Sequence, residues 1–148
     1  MFLPTIELAT VADAADCAGV SRAARKQALT FLHELHSEAE DLDYSNHVLR
    51  KDTVFVARDE QRRPVGFIAF SDGRVNHLYV LPSYQRLGIG GLLLDRAMGS
   101  FKMLKLWTFE RNELARRFYE NHGFSVIDRT DGEGNEEKEP DLLLQWNA

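Results

Sequence analysis

The run Leu78-Tyr-Val-Leu-Pro-Ser-Tyr-Gln-Arg-Leu-Gly-Ile-Gly-Gly91 passes from a strand-like stretch, through a glycine-bearing loop, into the apolar helical stretch Leu92 to Met98. Three of the ten glycines of the chain fall between Gln85 and Gly91. Such a loop frees backbone N–H groups, gathers them at a helix N-terminus and lets a phosphate approach without meeting a Cβ. Arg86 adds a guanidinium suited to phosphate oxygens. The spacing fits a pyrophosphate, and a plain tight turn would satisfy it too. Two common phosphate loops are excluded. A Walker A loop ends in Gly-Lys-Ser/Thr, whereas Gly91 is followed by Leu92 and Leu93. A dinucleotide fingerprint needs glycine where Leu93 stands.

Working outward, Thr53–Ala57, Pro64–Phe70 and Val75–Val80 are β-branched, apolar runs. Polar Glu60-Gln-Arg-Arg63 and the Asp72-Gly73 turn separate them, which predicts an antiparallel meander. Upstream, Thr5–Thr10 reads as a short strand. Ala12 to Leu35 reads as a helix bent at Gly19 and Ser21. Ser37 with Glu40 is a capping box that opens a second helix. Downstream, Met103–Thr108 is a strand, and Asn112 to His122 is a helix with Asn112 as N-cap and Gly123 just past its end. Phe124–Asp128 and Leu142–Trp146 supply two last strands. Strand, helix and strand after the glycine loop predict a parallel pair within a mixed α/β sheet.

With 148 residues, 44% hydrophobic and 28% charged, the chain suits one domain with its own core. Cys17 is the single cysteine, so no disulfide framework or cysteine-based metal cluster exists, and a reducing, cytoplasmic setting is expected. No apolar run reaches the roughly 18 residues of a membrane span, and the N-terminus lacks a secretory pattern. The net charge is −5, and the acidic stretch Asp131–Asp141 accounts for it: its six carboxylates face Lys138 alone. This balance is the reverse of a nucleic-acid binder's. The acidic stretch is either a solvated loop or a rim that attracts a cationic ligand.

The glycine-loop run resembles motif A of the GCN5-related N-acetyltransferase (GNAT) superfamily, Gln/Arg-x-x-Gly-x-Gly/Ala, at Gln85, Gly88 and Gly90. A second run, Asn112-Glu-Leu-Ala-Arg-Arg-Phe-Tyr-Glu-Asn-His-Gly-Phe124, is similar to motif B, Asn-x-x-Ala-x-x-Phe-Tyr-x-x-x-Gly-Phe. Both occur in the expected order, with a helix and a strand between them, and a RimI-like or uncharacterised bacterial branch is nearest. The resemblance implies one N-acetyltransferase domain over residues 1–148. Its fold would be a mixed, mostly antiparallel sheet of about seven strands flanked by about four helices, with a parallel splay.

The resemblance also implies a site. Acetyl-CoA would lie between Val75–Val80 and Met103–Thr108, along Leu78-Tyr79-Val80, with pantetheine amides paired to the backbone of Leu78 and Val80. The loop opened by Gln85 would hold the pyrophosphate on the amides of Arg86, Leu87, Gly88, Ile89, Gly90 and Gly91. The Val80 N–H would polarise the thioester carbonyl. Asn112 would bond the pantetheine arm, Ala115 and Phe118 would line the cofactor, and Tyr119 would protonate the departing thiolate. No metal is implied. The partner would be an amine acceptor, either a small molecule or a peptide, with pairing into a homodimer expected.

The chemistry of acyl transfer to an amine matches these residues. The amine must lose a proton, the tetrahedral oxygen must be stabilised, and the thiolate must leave. Direct attack needs no enzyme nucleophile, and the chain has no Gly-x-Ser-x-Gly elbow. Tyr119 is the candidate acid, its alternative being plain packing beside Phe118. His77, next to Leu78, is the candidate base, its alternative being a packed strand histidine. His33, Glu34, His36 and Glu38 cluster where the family often builds its acceptor pocket, or form a solvated face. His47 and His122 carry no functional reading, and Tyr84 and Trp107 read as structural. Two rivals stand beside catalysis: a non-catalytic acyl-CoA-binding module, and an acyltransferase for a longer acyl group.

Overall fold

The computed structural model describes residues 3–32 and 36–148. Thr5–Leu8 forms β1, and a 3-10 turn at Val11–Asp13, boxed by the Thr10 side chain, leads into helix α1, Ala14–Ala28. Helix α2 spans Glu38–Lys51, and its N-terminus is the expected capping box: the Ser37 hydroxyl accepts from the Glu40 N–H, and Glu40 reaches back to the Ser37 N–H. Strands β2 (Thr53–Arg58), β3 (Pro64–Ser71) and β4 (Arg74–Val80) follow as the meander. Helix α3 (Ile89–Met98), strand β5 (Met103–Phe109), helix α4 (Glu113–Asn121) and strands β6 (Ser125–Thr130) and β7 (Asp141–Asn147) complete the chain. Among the described residues seven strands lie in one sheet, in the order β1-β2-β3-β4-β5-β7-β6, with β4 and β5 the only parallel neighbours.

The first helix departs from the sequence expectation. It ends at Ala28 rather than Leu35, and it runs straight through Gly19, where an added Cβ would meet nothing within 4 Å. Leu29 leaves helical geometry at φ −114° and ψ 57° and is buried. Phe31 then packs edge-on against Phe109 of β5, with centroids 6.1 Å apart. Burial of these apolar groups on the sheet outweighs the modest gain from further helical turns.

Each face of the sheet has its own cover. Cys17 and Val20 of α1 and Val48 of α2 pack on Val54, Val56, Phe67 and Ala69. On the other face, Ile89, Leu93 and Leu94 of α3 and Tyr119 of α4 pack on Ile68, Phe70, Leu104, Leu106 and Leu144. Ile68 is fully buried at the centre, and truncating it to alanine would cost about 2–5 kcal/mol. Burial also makes Cys17 inert by pushing its thiol up to about 12.

One irregularity positions the site. Phe70 opposes Val75 and Ala69 opposes His77, so Asn76 is an extra residue in β4. This bulge changes the phase of the strand. Val75, Leu78 and Val80 pack on the α3 face, whereas His77 and Tyr79 face the cavity bounded by α1 and α2. The Asn76 amide donates to Asp52 Oδ2 at 3.0 Å and to Ser71 Oγ at 3.2 Å, which holds the bulge in place.

Candidate active site

The parallel pair is barely a pair. Only Arg74 and Lys105 stand in register, with the Lys105 N–H donating to the Gly73 carbonyl at 2.9 Å. Beyond that point β4 and β5 diverge and leave a slot. The register of β4 on β3 fixes what the slot meets. The Leu81 N–H donates to the Val65 carbonyl at 2.8 Å, and Tyr79 lies opposite Phe67. Antiparallel pairs alternate between hydrogen-bonded and open positions, so Leu78 and Val80 turn their N–H and C=O groups away from β3, into the slot. The Gln85 side-chain amide donates to the Val80 carbonyl at 3.0 Å. Gln85 therefore acts on the strand backbone, and the Val80 N–H is the donor that remains.

The glycine loop follows directly. Arg86 (φ 64°) and Gly88 (φ 84°) are both left-handed, and Gly88 is the N-cap of α3. A Cβ on Gly88 would meet nothing within 4 Å, so this glycine serves the backbone turn and an open approach. Gly90 and Gly91 serve a different purpose. A Cβ there would lie 3.2 Å from the Phe118 ring and 3.2 Å from His122 Nε2, so their bareness lets α4 pack against the first turn of α3. The Ile89 side chain is anchored in the core while Arg86, Leu87 and Gly88 are exposed. The first-turn N–H groups of α3 lack intrahelical acceptors and carry the positive end of the helix dipole. Open space, left-handed backbone and these donors fit a pyrophosphate.

Helix α4 forms the other wall of the slot. Asn112 Oδ1 accepts from the Ala115 N–H at 3.2 Å, so Asn112 is the N-cap, and it lines the slot together with Ala115 and Tyr119. Phe118 is half-buried and lies beneath Gly90. Tyr119 is 8% exposed, and among the described residues nothing accepts a hydrogen bond from its hydroxyl. Burial, with Tyr79 nearby, pushes its phenol well above the ordinary range, so it stays protonated and able to donate. The slot is a cavity of about 290 Å³.

A second cavity, of about 920 Å³, lies between α1, α2 and the sheet. The two cavities share Leu29, His77, Tyr79, Phe109 and Glu137. At this junction His77 Nε2 lies 2.9 Å from the Tyr44 hydroxyl of α2. Desolvation lowers the His77 imidazole to about 4, so it is neutral near pH 7. Glu136 and Glu137 of the acidic loop line the far wall, and contacts within the loop hold its shape. Asn135 Nδ2 donates to the Glu139 carbonyl at 2.7 Å, and Lys138 Nζ donates to the Glu133 carbonyl at 2.7 Å. Arg111 pairs with Glu139 at 3.1 Å. A Cβ on Gly132 would lie 2.4 Å from the Glu139 backbone. This frame presents Glu136 to His36 Nε2 at 2.8 Å, while His36 Nδ1 reaches Glu40 at 3.3 Å. Glu137 is half-buried at the junction and, among the described residues, has no ion-pair or hydrogen-bond partner. Glu38 is exposed in the first turn of α2, outside the cavity lining, and His33 and Glu34 lie outside the described residues.

Residues 50–126 match the acetyltransferase (GNAT) domain family. The chain belongs to that family. Over 98 residues it is 33% identical to the peptidyl-lysine N-acetyltransferase YjaB of Escherichia coli, covering 66% of this chain and 65% of that protein. Over 77 residues it is 38% identical to the probable N-acetyltransferase Rv2775 of Mycobacterium tuberculosis, covering 46% and 44%. The matches span between 44% and 65% of the lengths of four such relatives. The fold is that of the solution structure of apo YjaB from Escherichia coli, at a TM-score of 0.82 and 24% identity over 97% of each chain. It is also that of the PaiA N-acetyltransferase of Thermoplasma acidophilum in complex with coenzyme A, at 0.72 and 18% identity over 99% of each chain.

The acyl donor of GNAT acetyltransferases is acetyl-CoA. Among the described residues of this GNAT domain, no group of three or more His, Cys, Asp or Glu side chains could hold a metal ion, and no helix is long and apolar enough to cross a membrane. Leu78, Tyr79, Asn112, Ala115 and Tyr119 line one slot, with His77 where it meets the larger cavity, while the loop from Gln85 to Gly91 lies outside that lining. Tyr44 escaped the sequence reading. It stands 33 positions from His77, on a helix whose local pattern gives no sign of that contact. Glu137 was visible only as one charge among six, and its separation from Glu136 appears once the loop is folded.

Proposed function

We propose that residues 1–148 act as one domain that transfers the acetyl group of acetyl-CoA to a primary amine by direct attack. The observation that carries this reading is the meeting of two cavities: a slot edged by unpaired strand backbone and a larger pocket that opens onto it. In this reading the loop from Arg86 to Gly91 holds the pyrophosphate, and Leu78, Val80 and Asn112 hold the pantetheine. An amine from the larger pocket attacks the thioester carbonyl, and its oxygen, as it gains charge, takes the Val80 N–H. As the carbon–sulfur bond breaks, the Tyr119 hydroxyl gives its proton to the sulfur. His77 lies where the amine proton must leave.

The acceptor is an alkylammonium in solution, on a peptide or a small molecule. Glu137 supports this assignment, because an unpartnered carboxylate at the junction attracts a cation to the reacting position. The names of the relatives point to lysine side chains. A cytoplasmic enzyme that pairs as a homodimer fits this reading.

The test is calorimetry with acetyl-CoA, followed by turnover on a peptide with one internal lysine and a panel of small amines. Wild type should bind in the micromolar range. Gly88→Trp fills the open approach and should weaken binding at least about tenfold, the site being made of backbone donors that a side chain would cover. Undiminished binding by Gly88→Trp would move the cofactor off this loop. Tight binding with no turnover on any amine would leave a carrier of acyl-CoA.

A further inference from the structure

The site as described leaves the amine proton without a route. His77 is the obvious acceptor, yet a neutral imidazole has one acceptor lone pair. The Tyr44 hydroxyl, 2.9 Å away, faces His77 Nε2. In the tautomer with the ring proton on Nδ1, the phenol donates to Nε2 and engages that lone pair. Tyr44 itself is 55% exposed and lines the larger cavity, where an amine would arrive. Its oxygen keeps lone pairs of its own.

We propose that Tyr44 and His77 form a proton relay for this acetyltransferase, Tyr44 taking the proton of the attacking amine while passing its own to His77 Nε2. The inference rests on the reading of the two cavities as donor slot and acceptor pocket. The step balances. The arriving ammonium first releases one proton to solvent; the neutral amine nitrogen then forms its bond to the carbonyl carbon and becomes cationic, hence acidic. Its proton moves to Tyr44 Oη, the Tyr44 proton moves to Nε2, and the imidazole becomes imidazolium. The carbon–sulfur bond then breaks, and Tyr119 protonates the sulfur. Solvent returns a proton from the imidazolium to the Tyr119 phenolate, so the amine has lost one hydrogen and the thiol has gained one.

A charge stands ready for the imidazolium. Asp52 is the carboxylate that acts most strongly on His77. Its Oδ2 accepts from the Asn76 bulge at 3.0 Å, while its Oδ1 is buried and, among the described residues, accepts nothing. The bulge that turns His77 into the pocket is thus tied to the group that would stabilise its cation. Arg25 of α1 and Lys51 of α2 act against Asp52 and with desolvation, which is the largest influence in the free enzyme. His77 also faces the rings of Tyr44 and Tyr79, at centroid distances of 5.5 and 6.2 Å, and shares the junction with Glu137.

The experiment pairs kinetics on the single-lysine peptide with nitrogen NMR of the His77 ring. Tyr44→Phe keeps the ring at an exposed position and removes only the hydroxyl. It should lower kcat about 100-fold, the ordinary scale of a lost acid–base group, with the KM for acetyl-CoA within about twofold of wild type. His77→Gln should match it, and the double variant should be no worse than the poorer single, because the two act as a unit. In NMR the wild-type Nε2 should carry no proton through neutral pH, titrate only near 4, and shift when Tyr44 becomes Phe. An active wild type with unchanged kcat in Tyr44→Phe, or losses that multiply, would overturn the relay and leave amine acetylation intact. A His77 ring that titrates near its ordinary 6.5 and ignores Tyr44→Phe would overturn it whatever the turnover. A wild type inactive on every amine would sink the underlying reading, and the relay with it.

Discussion

The two cavities that meet at His77 are built from different materials. The slot, about 290 Å³, lies where β4 parts from β5 past the single Arg74–Lys105 register pair, with Asn112, Ala115 and Tyr119 of the α4 wall beside it. Nearby, the Gln85 side chain holds the Val80 carbonyl and the bareness of Gly90 lets α4 pack against α3. The pocket, about 920 Å³, is walled by side chains from α1, α2, β4 and the 131–140 loop, and charges of both signs line it. Backbone donors recognise one invariant ligand, whereas side chains can change without disturbing the sheet. On the proposed reading of the slot as donor site and the pocket as acceptor site, the first constrains sequence tightly and the second loosely, and substitutions in the two should fail differently.

The largest expected effect lies in the slot. Tyr119→Phe keeps the ring packed between Phe118 and Phe124 and removes the proton for the leaving thiolate. A drop in kcat of about 100-fold or more is expected, with both KM values nearly unchanged, as for an interaction made only in the transition state. The basic limb of kcat should lie high, because burial holds this phenol protonated well above its ordinary range. A variant with wild-type kcat would remove Tyr119 from the chemistry and leave it a core residue.

The pocket should respond through the acceptor alone. Glu137 has no partner among the described residues, while Glu136 is already bonded to His36. Glu137→Gln should lower kcat/KM for the lysine peptide about five- to tenfold and flatten its salt dependence, because the attraction of a carboxylate for an approaching ammonium is screened by ions. Glu136→Gln should do neither. Equal effects from both substitutions would return the loop to a diffuse acidic rim, and no effect from either would remove it from recognition. In both variants acetyl-CoA binding should be untouched.

This contrast also explains what could be read before the fold was known. Local spacing made Gln85, Gly88 and Gly90, then Asn112, Ala115, Phe118 and Tyr119, legible as two short runs. The meander and the strand–helix–strand unit gave the antiparallel β2-β3-β4 run and the parallel β4–β5 pair, while the insertion of β7 between β5 and β6 was not read. The pocket is long-range. Tyr44 meets His77 across 33 positions, and the Asn76 bulge that turns His77 toward it depends on Asp52, 24 positions away. Simple alternation along Val75–Val80 would have placed His77 on the same face as Val75, in the wrong layer. The overlong first helix failed for the same reason: Leu29 is buried and Phe31 packs on Phe109 of β5, contacts that their neighbours in sequence do not show.

The smallest effect expected is at the seam between the pocket's two walls. His36 bridges Glu40 of α2 and Glu136 of the loop, and the Glu40 hydrogen bond, with Glu136 beside it, raises the imidazole above its ordinary 6.5. A histidine raised in the folded state stabilises it fully below the unfolded value and loses that contribution as pH climbs through the folded one. The clasp is therefore closed below the ordinary histidine value and opens as pH rises through the raised folded one. All three groups are solvent-exposed, and the loop has its own frame of Asn135, Lys138 and Arg111, so opening should loosen the seam without unfolding it. Hydrogen exchange at residues 131–140, corrected for its intrinsic pH dependence, should quicken only a few-fold between pH 6 and 8, the scale of an exposed pair. His36→Gln should exchange at the faster rate throughout. A loop equally protected at both pH values would mean that the frame alone holds Glu137 at the junction, and the pocket would then be as preformed as the slot.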